Sequence, residues 1–166
     1  MLRCPILSQE YNMQALVIFD SVFGNTEKVA RAIGSALGAD VPVKSISAVT
    51  PADLGGVDTL LVGSPTRSFK PTPAVTDFLA ALPAGALNDV RAAAFDTRIP
   101  LDSIKNPIFR LIVKKGGYAA PSIEKALSDK GAVLAIPGDG FIVLESEGPL
   151  KEGEVERAAE WARSML

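Results

Sequence analysis

Phe19-Asp-Ser-Val-Phe-Gly-Asn-Thr-Glu-Lys-Val-Ala30 decides the fold. The apolar run Ala15 to Phe19 stops in a small polar loop, and helical spacing begins at once with Val29, Ala30, Ile33 and Leu37. The stretch reads as strand, loop, helix. Ser21 and Thr26 bring hydroxyls, Asn25 an amide and Gly24 a flexible backbone. A helix N-terminus offers unpaired N–H groups and partial positive charge, which together favour an anion. The loop has no lysine and lacks the spacing of a nucleotide-triphosphate loop. The expected guest is therefore a phosphate monoester on a larger molecule, held by hydrogen bonds.

Outward from this loop the chain alternates strand and helix. Strands are expected at 15–19, 41–46, 59–63, 92–95 and 132–136, the last continuing at 141–144. Four are nearly continuous apolar runs, as parallel strands covered on both faces require. Pro42 marks the second as an edge strand. Helices are expected at 26–37, 74–82, 108–115, 122–130 and 153–165, with Gly38 and Gly131 as left-handed terminators. The pattern predicts an α/β fold: an open, doubly wound five-stranded parallel sheet, order 2-1-3-4-5, in a three-layer sandwich. Ligands of such sheets sit beyond the carboxyl ends of the strands. Three polar loops fall there: Asp20–Thr26, Ser64–Pro73 and Asp96–Arg98.

Composition narrows the chemistry. One domain is expected over residues 13–166, and 1–12 read as a loosely held arm or an upstream-start extension. A net charge of −2 gives no basis for nucleic-acid binding. The single cysteine, Cys4, forms no internal disulfide and suits a reducing compartment, so a cytoplasmic location is expected. The absence of histidine removes His bases, Ser-His-Asp triads and His metal sites. No apolar run approaches the ~20 residues of a membrane span. Ile108 to Lys115 mixes large apolar residues with bases. Packing on the sheet is the favoured reading, and membrane-surface or partner docking is the rival.

The first loop, as Ser21, Gly24, Asn25 and Thr26, and the second, Gly63-Ser-Pro-Thr-Arg-Ser-Phe-Lys-Pro-Thr-Pro73, resemble those of the flavodoxin-like family, short-chain type. Ala94–Arg98 and Glu147–Glu154 are similar to that family's third loop and its lead-in to the last helix. Flavodoxins are the standing example of FMN held at such a switch point. The resemblance implies FMN as cofactor, bound by Ser21, Val22, Phe23, Gly24, Asn25 and Thr26, by Pro65, Thr66, Arg67, Ser68 and Phe69, and by Asp96, Thr97 and Arg98. It assigns no catalytic residue and no metal.

There are departures. Phe23 replaces a hydroxyl residue, the third loop has no Tyr or Trp, and 17 bases offset 19 acids, unlike an acidic carrier. Ring stacking is therefore expected from Phe69 or Arg67. Asp96 and Arg98 are expected at the ring's polar edge with cancelling charges. Tyr118 is read as structural, with a place at the ring edge as the alternative, and Trp161 as packing. The implied function is electron transfer to redox partner proteins or a small-molecule acceptor, by a monomer or weak dimer. The alternatives are an FMN-dependent NAD(P)H:quinone-type reductase and a module that has lost FMN.

Overall fold

The computed structural model describes residues 12–166, so the arm read at 1–12 lies outside the described residues except for Asn12. These residues hold six strands and five α-helices. They are β1 (Ala15–Phe19), α1 (Asn25–Leu37), β2 (Val43–Ser45), β3 (Thr59–Pro65), α2 (Pro73–Ala81), β4 (Arg91–Arg98), α3 (Pro107–Gly116), α4 (Ala119–Asp129), β5 (Val133–Leu134), β6 (Asp139–Ile142) and α5 (Glu154–Arg163). All strand pairs are parallel, in the order β2-β1-β3-β4-β5, with β6 also on β4. This is the 2-1-3-4-5 flavodoxin-like sheet with helices on both faces.

The fifth position is broken in two. β5 pairs with Arg91 and Ala92 at the start of β4, and β6 with Phe95 to Arg98 at its end. Pro137 lies in the gap and has no N–H for a ladder. The next amide, Gly138, donates to Glu124 Oε1 at 2.6 Å instead of to a strand. β2 starts at Val43, later than the apolar run suggests, although the Pro42 carbonyl still accepts from Val17 N–H at 3.0 Å. It is an edge strand, as the proline requires.

Successive strand residues face opposite layers. Leu16, Ile18, Leu60, Val62, Ala92 and Ala94 meet Val75 and Leu79 of α2 and Ile123 and Leu127 of α4. Val17, Phe19, Leu61, Ala93 and Phe95 meet Val29 and Ile33 of α1 and Ala158 and Ala162 of α5. Each large side chain so buried contributes about 1.5–3 kcal/mol. Trp161 packs as its spacing suggests, edge-on to Phe95 and Phe141 with centroids 6.2 and 6.0 Å away.

Three expectations need correction. Gly131 ends α4 with φ 100, but Gly38 after α1 is extended, at φ 165, and terminates nothing by handedness. Asp96–Arg98 is not a loop: these residues continue β4 and pair with Gly140, Phe141 and Ile142. Their polar side chains disguised a buried strand end. Helix α3 is not packed on the sheet. Of its residues only Val113 is buried, and Ile108, Phe109, Leu111 and Ile112 are exposed.

Candidate functional site

At the carboxyl ends of β1, β3 and β4 the chain forms a cavity of about 270 Å³. The first loop supplies one wall. Gly24 sits at the helix N-cap in the left-handed region, φ 90 and ψ −5, where a side chain would be strained. Ser21 Oγ accepts from Gly24 N–H at 3.1 Å and from Glu27 N–H at 3.4 Å, leaving its own proton to donate. The N–H groups of Val22, Phe23, Asn25 and Thr26 have no acceptor among the described residues. Four amides without an acceptor around a helix start can hold an anion. The N-cap residue, Gly24, has no side chain with which to cap these donors.

Thr26, nearly buried, shares a 2.8 Å hydroxyl–hydroxyl hydrogen bond with Thr97 of β4. Asn25 donates from Nδ2 to the Glu147 carbonyl at 3.0 Å, tying the first loop to the segment before α5. Val143 N–H donates to the Arg98 carbonyl at 2.9 Å, and from that segment Ser146 and Val143 line the cavity. Sequence reasoning missed both, along with Ile99. The one signal for Ser146 was its position beside the Glu147–Glu154 lead-in.

The second loop forms the facing wall with Pro65, Thr66, Arg67 and Ser68. Arg67 and Lys70 exchange backbone hydrogen bonds of 2.9 and 3.0 Å around Ser68 (φ 48) and Phe69 (φ 70). Two successive left-handed residues define a tight reversal of the primed type, which glycine or asparagine usually occupies. The reversal carries Phe69 out of the cavity. Its ring lies against Gly116 of α3, where an added Cβ would stand 2.4 Å from Phe69 Cγ. Phe69 thus lines an adjoining cavity, with Thr66, Ser68 and Ile99, and not this one. Arg67 stays, with its guanidinium 5.5 Å from the centroid of the Phe23 ring, bridging the two loops.

At the end of β4, Thr97 and Arg98 line the cavity and Asp96 does not. Asp96 is fully buried. Its carboxylate takes Arg98 Nε and Nη2 at 2.6 Å each, and the Ala120 N–H of α4 at 2.8 Å. Burial pushes the Asp96 carboxyl up from its ordinary value, while the Arg98 fork and the Ala120 amide oppose that shift. Arg98 also lies 3.9 Å from the Tyr118 ring centroid. Tyr118 donates its hydroxyl to the Ile99 carbonyl at 3.3 Å and is absent from the cavity wall, as its structural reading expects. Burial raises its phenol above the usual value.

Among the described residues, two cations and no carboxylate line the cavity. Asp96 neutralises Arg98, and Arg67 makes no ion pair among the described residues. Of the expected site residues, Ser21, Val22, Phe23, Asn25 and Thr26, then Pro65, Thr66, Arg67 and Ser68, and Thr97 and Arg98 are brought together. Gly24 shapes the loop from outside the wall, while Phe69 and Asp96 point elsewhere. A second cavity, about 380 Å³ and mainly apolar, shares Thr66, Ser68 and Ile99 with the first and runs on to Phe109 and Val113.

An open 2-1-3-4-5 sheet with an anion cradle at its switch point defines a flavodoxin-like protein. Residues 16–106 match the family model described as a flavodoxin domain, and the chain belongs to that family. A search of curated proteins finds no sequence match. Among solved structures, oxidised flavodoxin 2 from Bacillus cereus is similar, with TM-score 0.70, 20% identity, and coverage of 92% of this chain and 97% of that one. Flavodoxin 1 from the same organism gives TM-score 0.69, 19% identity and coverage of 91% and 95%. A WrbA-like flavodoxin from Agrobacterium tumefaciens gives 0.68, 15%, 93% and 95%. At identities this low the structural likeness shows the shared fold alone.

Proposed function

We propose that the protein binds FMN in the 270 Å³ cavity and works in electron transfer. One observation carries this: four amides with no acceptor among the described residues, and the Ser21 proton, belong to residues that line a cavity whose described lining includes two cations and no carboxylate. A phosphate monoester satisfies those donors, each charge-assisted hydrogen bond being about twice as strong as a neutral one. Ser21, Thr26 and the amides of Val22 to Thr26 would hold the phosphate. Pro65, Thr66, Arg67 and Ser68 would flank the ring on one side, and Thr97, Arg98 and Ile99 would meet its edge. FMN, when bound, supplies the redox chemistry, and the protein binds and orients it.

Stacking then rests on Arg67 and Phe23 rather than Phe69. The Asp96–Arg98 pair presents no net charge, so among the described residues Arg67 is the one uncompensated charge lining the cavity. This supports a carrier whose potentials are less depressed than those of an acidic one. The neighbouring apolar cavity favours a second reading, an FMN-dependent NAD(P)H:quinone-type reductase, because an apolar acceptor would lie next to the ring.

The test is flavin titration of the purified protein by fluorescence quenching. FMN should bind more tightly than riboflavin, which lacks the phosphate. Equal affinity would overturn the phosphate cradle, and no binding of either would leave a module that has lost FMN. Bleaching of the bound flavin by NAD(P)H alone would select the reductase.

A further inference from the structure

We infer that helix α3 is a docking face for an anionic membrane surface. The inference stands apart from flavin binding and uses none of the cofactor residues.

In a water-soluble fold a helix normally turns its apolar stripe inward. Helix α3 does so only in part. Phe109 and Val113 close the side of the second cavity, and Gly116 receives the Phe69 ring, so the inner contact is already made. The apolar stripe continues around the helix away from that contact. Ile108 is 73% exposed, Leu111 53% and Ile112 48%, and half of Phe109 is exposed too. Isolated exposed apolar residues need no explanation, but four within five positions of one helix do.

Charge selects the occupant. Lys105, Arg110, Lys114 and Lys115 lie in or beside the helix, and no carboxylate occurs between Ser103 and Ile123, although the chain has 19. Lys105, Lys114 and Lys115 form no ion pair among the described residues. Arg110 donates to the Ile104 carbonyl, which fixes the segment before the helix without neutralising it. By helical angle Lys115 falls between Ile108 and Leu111, with Lys114 and Arg110 along the flank. Large apolar residues edged by cations are the makings of a helix that lies in the headgroup layer, with its apolar side in the acyl boundary and its bases on anionic lipid.

A second copy of this chain fits the same face poorly. A two-fold contact would set the patch against itself, cation on cation, with no carboxylate in it to pair them. The short apolar stripe and few cations argue for reversible attachment, and no helix of the described residues is long and apolar enough to cross a membrane.

The experiment is co-sedimentation of the full chain with vesicles of phosphatidylcholine alone or with about 30% phosphatidylserine. Binding should require phosphatidylserine and fade between about 0.1 and 0.5 M salt as screening lengths fall. I108S/I112S should weaken binding about tenfold or more, and K114Q/K115Q about fivefold per cation removed, with circular dichroism unchanged. All four positions are solvent-facing, and the salt dependence of the unaltered protein tests the idea even if one variant misfolds. Failure to bind phosphatidylserine vesicles, equal binding to both vesicle types, or unchanged binding by both variants would overturn it. So would a dimer, seen by sedimentation, that I108S/I112S abolishes.

Discussion

Replacing Asp96 with alanine should be among the most damaging single changes in this chain. The carboxylate is fully buried and holds three donors: Arg98 Nε and Nη2 at 2.6 Å each and Ala120 N–H at 2.8 Å. Removing it strands a guanidinium whose side chain is only 20% exposed. Breaking a buried ion pair from one side costs about 3–5 kcal/mol, and the remaining exposure of Arg98 points to the lower end. The orphaned Ala120 amide, in the first turn of α4, adds about 1–3 kcal/mol. A total near 4 kcal/mol would remove a large share of the 5–15 kcal/mol that usually holds a domain together. The pair also predicts non-additivity. Adding Arg98→Met to Asp96→Ala removes the stranded charge and should recover about 1.5–3 kcal/mol, leaving mainly the cost of the amide. Urea unfolding followed by circular dichroism, on both single variants and the double, measures each corner of this cycle. If Asp96→Ala stays within about 1 kcal/mol of the parent, or the double variant is no more stable than Asp96→Ala, the reasoning is refuted.

Thr26→Ala should weaken FMN binding by roughly 1–3 kcal/mol while the fold survives; unchanged affinity by titration would make Thr26 only a brace for Thr97. Gly63→Ala should lower stability by about 1–3 kcal/mol or more, because its Cβ would stand 2.1 Å from the buried Phe95 ring; an unshifted thermal midpoint would contradict that contact. The Asp53 carboxyl is held down to about 2 from 3.8, first by the Lys44 ammonium at 2.7 Å and then by the Thr50 N–H. Its stabilising effect is complete above the unfolded value, near 3.8, and is lost as pH falls toward about 2. Lys44→Met should move the Asp53 titration, followed by carboxyl NMR, back toward 3.8, and an unmoved midpoint would exclude Lys44 as the main cause.

Much of the architecture was legible because strand and helix periods differ. The run from Ala15 to Phe19 and the spacing of Val29, Ile33 and Leu37 could be satisfied only by a strand and helix sharing one core. The end of β4 was hidden because Asp96, Thr97 and Arg98 are polar, and polarity reads as loop. Their side chains are satisfied by one another, by Thr26 and by α4, partners remote in sequence. The position of Phe69 was illegible for another reason. It depends on left-handed geometry at Ser68 and Phe69, which neither residue type announces. Helix α3 misled through composition: large apolar residues suggest burial, yet most of these face water. Val143 and Ser146 line the cavity from the segment after β6, which Val143 N–H ties to the Arg98 carbonyl and Asn25 ties at Glu147, contacts between parts of the chain remote in sequence.

The reversal at Ser68 and Phe69 acts as a spring latched by its own aromatic ring. Left-handed geometry at non-glycine residues costs roughly 1–2 kcal/mol each, so the turn tends to relax unless something outside it holds it. The latch is Phe69 on the bare α-carbon of Gly116, in the last turn of α3. Ser68 and Arg67, on the other side of the same turn, are part of the cavity wall. A shift of α3 would thus be transmitted through one phenyl ring to the groups facing the candidate cofactor. The exposed helix α3 and the loop beside the candidate cofactor cavity share one contact, the Phe69 ring on Gly116.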